Sequence, residues 1–277
     1  MPEKMLLNIG CGSRFCEGWV NIDKTPFDRL VRACDVLEGL PFPSSTFEVV
    51  YHSHLIEHLS KANAAKLLGE CYRVLKSGGI IRVVAPDLER IAELYLEALD
   101  NALKGDSQWQ HNYDWMMMEL FDQFSRDRSG GAMNEYLKQK NIPNVEFVRS
   151  RIGSFAFPAA VSAPDAEFKA MPFRSRLVGF LGNFTRSIRE AILSSILCKT
   201  DYAAMKIGRF RINGEVHLWM YDRYSLKALL QDAGFKNITL CGPIESMIPN
   251  WSSYNLDTEP DGMVYKPDSI YMESQKP

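Results

Sequence analysis

The stretch LLNIGCGSRFCEGWVNID, Leu6 to Asp23, constrains this chain more than any other part of it. An apolar run enters a Gly-Cys-Gly turn, and a second short apolar run then ends in an acid. A glycine turn directly after a strand lets the backbone come close to a ligand, because no Cβ intervenes. An acid at the end of the next strand can accept hydrogen bonds from two ribose hydroxyls. Dinucleotide sites ask for a third glycine and for a helix whose N-terminus holds the pyrophosphate. Phe15 occupies that third position, and Gly12 and Asp23 are too close for a full helix between them. Little is left to hold a pyrophosphate. A nucleoside cofactor without phosphate survives that loss.

The rhythm continues to about Tyr95. Met5–Ile9, Trp19–Ile22, Leu30–Val36, Thr46–Tyr51 and Ile80–Val84 read as strands. Ala62–Leu75 reads as a helix with Leu67, Leu68, Cys71, Tyr72 and Leu75 on one face, ended by Lys76-Ser77-Gly78-Gly79. Pro86-Asp87 opens a helix to about Leu103. Strands and helices alternating in this way imply a parallel sheet covered on both faces. Residues 104–211 break the rhythm with a mostly helical pattern, read as an insertion or cap. Tyr224–Ala233 is a further helix capped by Gly234, and Lys236–Cys241 and Ser269–Met272 close the sheet. The expected divisions are a core over 1–103, the helical insertion over 104–211, and a C-terminal part over 212–277 that completes the core.

The bulk numbers narrow the function classes. The 277 residues carry a net charge of −2, which excludes a globally basic nucleic-acid binder. Six cysteines are scattered without zinc spacing. The N-terminus lacks a charged-then-apolar leader, and no apolar run approaches the roughly 18 residues of a spanning helix. The expected location is the cytoplasm, with reduced thiols.

Three segments, ACDV at 33–36, LPFPSSTFEVVYHSHLIEHL after it, and ECYRVLKSGGIIRVVAPDLE, resemble the class I S-adenosylmethionine-dependent methyltransferases, and within them the type 11 group associated with polysaccharide assembly. The resemblance covers about Lys4–Tyr95 and Glu215–Lys276. It implies an α/β, Rossmann-like, mostly parallel seven-stranded sheet carrying a helical cap. It implies that S-adenosylmethionine is held by the loop Gly10, Cys11 and Gly12, by Asp23 at the ribose, and by Asp35 and Val36 at the adenine. His52, Ser53 and His54 would border the reacting centre. The expected reaction is methylation of a small-molecule or glycan hydroxyl. Alternatives are a cofactor-binding scaffold without turnover and a nicotinamide-dependent dehydrogenase.

Outside the cofactor motif, His54 and His217 are the candidate general bases, since histidine titrates near working pH. Glu119, Asp122 and Arg126 recur at helix spacing. They form either a solvated ion-paired face or a polar wall over the cleft, for which the following Ser129-Gly130-Gly131 loop argues. His217, Trp219 and Tyr221 alternate, as on one side of an extended segment, and Trp219 and Tyr221 are expected at the acceptor. Asp222 suits a helix cap. HLIEH at 54–58 matches a zinc pattern, but it follows a sheet strand and the sequence offers no third ligand, so no metal is expected. Residues 177–196 form a basic, amphipathic stretch, either a cap helix or a weak membrane contact. No nucleic-acid platform stands out.

Overall fold

The computed structural model describes residues 5–26, 28–156, 189–190 and 192–277. Seven strands form one sheet: β1 Leu6–Ile9, β2 Val20–Asp23, β3 Val31–Ala33, β4 Phe47–Ser53, β5 Leu75–Pro86, β6 Lys236–Cys241 and β7 Ser269–Gln275. Their order is β3-β2-β1-β4-β5-β7-β6. β1 to β5 are parallel, and β7 runs antiparallel to both β5 and β6. The chain winds outward from β1 to β3 and then returns to β4 on the other side of β1. That reversal opens a crevice beyond the carboxyl ends of β1 and β4, where ligands of open α/β sheets bind. Because β7 is antiparallel, its first residues lie at the same edge.

The helices are α1 Lys61–Val74, α2 Leu88–Leu103, α3 Ser107–Ser125, α4 Gly131–Leu137, α5 Val145–Ala156, α6 Lys199–Arg211 and α7 Arg223–Asp232. Three boundaries differ from the sequence reading for local reasons. β3 stops at Ala33 because the Asp35 carboxylate accepts from the Leu37 amide and turns the chain into a 3-10 turn, Val36–Glu38. α1 starts under the Ser60 hydroxyl and ends with Leu75 already extended. Lys76–Gly79 therefore fall inside β5 and do not cap the helix. Asp222 caps α7 as expected, in a reciprocal capping box with Ser225.

The two faces of the sheet are covered differently. Alternate strand residues (Leu7, Ile9, Val50, Ile81, Val83) meet α1 and α7 through Leu67, Leu68, Leu226 and Leu230. On the other face no helix joins β1 to β2. Trp19 and Tyr51 instead pack against Trp251 and Tyr254 of a C-terminal 3-10 turn, with ring centroids 5.1–6.4 Å apart. The loop itself is stapled from below. Buried Asn21 donates to the Cys16 and Trp19 carbonyls, and buried Asn8 donates to the Arg14 carbonyl. Side-chain amides thus replace the hydrogen bonds a crossover helix would supply.

α3, α4 and α5 share an apolar core with α2: Trp115, Met116, Met133, Val148 and Ile152 pack against Ile91, Leu94 and Ala98. Of the basic stretch 177–196, residues 177–188 and 191 lie outside the described residues. Among the described residues no helix is long and apolar enough to cross a membrane.

Candidate active site

Gly10 and Gly12 both have positive φ, 63° and 51°. The Gly10 and Cys11 amides donate to the Ile22 carbonyl at 2.8 and 3.2 Å, which holds the turn against β2. A Cβ on Gly10 would meet the Leu55 side chain at 3.1 Å, whereas one on Gly12 would point into open space. Gly12 therefore presents bare backbone to a ligand. Its amide donates to Asp23 Oδ2 at 2.8 Å, and the Thr25 amide donates to Oδ1 at 2.8 Å. A carboxylate has about four acceptor sites, so Asp23 keeps one on each oxygen for a ribose diol. Burial pushes the Cys11 thiol up to about 12, which makes it an inert, turn-filling residue.

At the next strand end, the ion pair with Lys24 at 2.9 Å holds the Asp35 carboxyl below its usual range. Val36 packs partly buried against the apolar core under the sheet. Beneath the glycine turn lies a cavity of about 160 Å³ lined by Gly10, Gly12, Arg14, Ser53, His54 and Lys266, among others. That is below the roughly 300 Å³ of a complete ligand pocket. It suits the methionine end of the cofactor, whose carboxylate would face Arg14, itself paired with Glu259 at 2.6 Å, and the amine of Lys266. The ribose and adenine would then fall to the open strand ends, where Asp23 and Asp35 stand. The donor set fits S-adenosylmethionine, and none of it demands a pyrophosphate.

A second cavity, about 790 Å³, opens beside the first. His54 and Lys266 line both. His54 stands at φ 50°, with Nδ1 3.2 Å from Glu57 Oε1 and Nε2 2.8 Å from Ser269 Oγ. Glu57 is fully buried. Burial raises its pKa, but His54, His58 and His217 around it outweigh that and hold it well below the carboxylate range. His217 lines the larger cavity, as expected of a residue facing the cleft, at 6% exposure. Burial pushes it down to about 3, against the pull of Glu57. Its ring sits edge-on to His58, centroids 4.8 Å apart.

Glu119 and Asp122 of α3, and Arg126 at its C-cap, are buried, so these three do not form a solvated face. Glu119 pairs with Arg151 at 2.8 Å and lines the larger cavity. Arg126 lines it too, tied to Asp122 at 2.7 Å. Asp122 does not line it: its carboxylate accepts from the Ala132 amide at 2.7 Å and fastens the Ser129–Gly131 turn to α3.

Three expected placements are corrected. His52 is fully buried on the face opposite Tyr51 and Ser53, because side chains alternate along β4; both ring nitrogens lack partners, and burial pushes it down to about 4. It borders neither cavity. Trp219 is 40% exposed, with Lys61 Nζ 3.7 Å above its ring, and Tyr221 is buried in the core under the sheet. Neither lines the larger cavity. The reason is that 215–221 is not a strand. Its one ladder contact is the bridge Asp87–Tyr221, so the alternation breaks.

Sequence reasoning missed Glu57, Lys266, Asp268 and Ser269. The last three enter β7, and an antiparallel closing strand must begin at the crevice edge. Gly153 sets their loop: a Cβ there would collide with Pro267 and the Tyr265 carbonyl.

Residues 16–83 match the family model described as "Methyltransferase domain". No curated protein matches the chain. Similar solved structures include a SAM-dependent methyltransferase from Archaeoglobus fulgidus, at 12% identity and TM-score 0.39, covering 99% of this chain and 87% of that one. A putative methyltransferase in complex with the Trm112 activator of Haloferax volcanii is 10% identical, with TM-score 0.38 and coverage of 100% and 85%. A possible histamine N-methyltransferase from Thermotoga maritima is 12% identical, with TM-score 0.37 and coverage of 100% and 84%. Likeness at that level carries no argument about substrate. The domain match is different in kind, because it spans Asp23, Asp35 and all of β4. On a sheet of this order, with a glycine turn and strand-end acid that fit the cofactor, the chain is an S-adenosylmethionine-dependent methyltransferase.

Proposed function

We propose that the protein methylates a hydroxyl of a small-molecule or glycan acceptor bound in the larger cavity, with His54 taking the proton. The observation that carries this reading is the position of His54 on the wall common to both cavities. An acceptor there comes within reach of the methyl group, and holding the two partners in line is the main contribution of such a site. The cofactor supplies an electrophilic methyl on sulfur. The acceptor oxygen forms the new bond to carbon as the carbon–sulfur bond breaks, its electron pair going to sulfur. The hydroxyl proton passes to His54 Nε2, since Nδ1 faces Glu57; the acceptor hydroxyl takes the place of Ser269 Oγ, which lies 2.8 Å from Nε2. His217, the other candidate base, borders the larger cavity alone and is in second place.

The larger cavity combines the polar Glu119, Gln123 and Arg126 with the apolar Ile91, Met133 and Met220. Paired charges beside apolar patches suit a sugar, which offers hydroxyls and ring faces. A role in polysaccharide assembly rests on the sequence resemblance, and a cytoplasmic location on six free cysteines. The test is release of S-adenosylhomocysteine from labelled cofactor over a panel of hydroxylated acceptors. Cofactor binding without transfer to any acceptor would turn the reading toward a scaffold.

A further inference from the structure

We propose that Glu57, His58 and His217 form a divalent transition-metal site of the zinc type in the wall of the larger cavity. Ligand atoms of the three lie within 4.8 Å of one another. Zinc bonds of about 2.0–2.1 Å put tetrahedral ligands roughly 3.4 Å apart, so small side-chain rotations close the set. The sequence offered two of these residues in HLIEH. The fold brings the third from 159 positions downstream of His58.

The parts around the ligands are arranged as a metal site requires. The Leu218 and Trp219 amides both donate to the Glu57 carbonyl, at 2.7 and 3.2 Å, and the His217 amide donates to the Gln123 carbonyl at 3.0 Å. Two distant segments are thereby latched in register. His58 Nδ1 lies 3.3 Å from the Val216 carbonyl, which leaves Nε2 on the side of Glu57, at 3.9 Å from Oε1. A backbone carbonyl on the far nitrogen is the usual way a metal-binding imidazole is oriented. Neither Glu57 oxygen makes a well-aligned hydrogen bond, although the residue is fully buried, and His217 Nδ1 is buried without a partner. The nearest partner of Glu57 is His54 Nδ1, 3.2 Å from Oε1, and a buried carboxylate held by so loose a contact is costly unless a cation answers it. All three residues line the cavity, so an ion has an entry path and an open coordination position. Two histidines and a carboxylate with an open position is the composition of a catalytic site rather than of a closed structural one. This role rests on the proposed acceptor site: a hydroxyl bound at the open position would be polarised beside His54.

The full chain is stripped with chelator and titrated with zinc chloride by calorimetry, and with cobalt(II) by visible absorption. The expected result is one equivalent bound at micromolar or tighter Kd, with a four- or five-coordinate cobalt band. Glu57→Gln, His58→Gln and His217→Gln should each weaken zinc at least about 10-fold. Wild-type protein that takes up no zinc, or variants that all bind like wild type, would overturn the site. If the variants fail to fold, the wild-type cobalt spectrum decides, and a six-coordinate band or none counts against it. Thermal shift with S-adenosylhomocysteine on the stripped protein separates the two readings. Cofactor binding without zinc removes the metal alone, and zinc without cofactor binding removes the methyltransferase reading.

Discussion

The Gly12 amide donates to the Asp23 carboxylate at 2.8 Å, so the turn that approaches the cofactor is fastened by the acid expected to hold its ribose. Asp23→Ala frees the turn and would remove the acceptor expected at the ribose. S-adenosylhomocysteine binding should weaken by about 1.5–3 kcal/mol, the range for hydrogen bonds to a charged group. Calorimetry reads this directly, and unchanged affinity would take the cofactor away from this strand end.

What the sequence disclosed followed physical range. The glycine turn, the strand-end acids and the cap at Asp222 are set by neighbours close in the chain, and they were legible, whereas the glycines read as ending α1 belong to β5. The missing crossover helix was legible too, because ten residues between β1 and β2 cannot hold one and return. What replaces it was not. Trp251 and Tyr254 reach the face from far downstream, and nothing near Trp19 announces them. The site divided in the same way. His54 follows β4, and its place on the wall of both cavities is where a residue after that strand was expected to lie. His52 and Tyr221 were misplaced, the one because burial on the second face looks the same in sequence as a cleft wall. The other depended on a strand period in a segment that forms no strand.

Arg82 holds that downstream segment in place. Its fully buried guanidinium pairs with Asp257 and Glu273 at 2.8 and 2.7 Å and donates to the Gly242 and Glu245 carbonyls. Asp257→Ala would leave part of this charge unanswered in the core. The expected loss of stability is about 3–5 kcal/mol, the scale for breaking one side of a buried pair. Denaturant midpoints measure it, and a loss under about 1 kcal/mol would show that Glu273 and the carbonyls suffice.

Glu70 gives a pH-dependent contribution. Hydrogen bonds from Arg73 lower its carboxyl to about 2, against burial, and it also accepts from the Leu40 amide. A folded pKa below the unfolded one stabilises above the unfolded value, about 4.3, and that stability is lost as pH falls toward 2. The side chain is 28% exposed, so solvent screening keeps the effect to about 1–2 kcal/mol. The stability gap between wild type and Glu70→Gln should be full at pH 6 and narrow steadily from about 4.5 downward. A gap independent of pH would mean that the pair contributes shape and not charge.

His54→Gln tests the proposed chemistry most directly. Glutamine can keep a hydrogen bond to Ser269 but cannot accept a proton from an acceptor hydroxyl. If His54 is the base, turnover should fall by about 10²–10⁴-fold, the usual share of general-base catalysis. Affinity for S-adenosylhomocysteine should hold within about twofold, because the glycine turn, Asp23 and Asp35 keep their contacts. Trp219→Ala serves as the counterpart. Its ring lies outside the cavity under Lys61, so turnover and acceptor KM should stay near wild type. If His54→Gln retains turnover, the histidine on the common wall only shapes it. A loss of cofactor affinity equal to the loss of rate would assign His54 to binding instead, and the proton would then need another acceptor, with His217 next in reach of the same cavity.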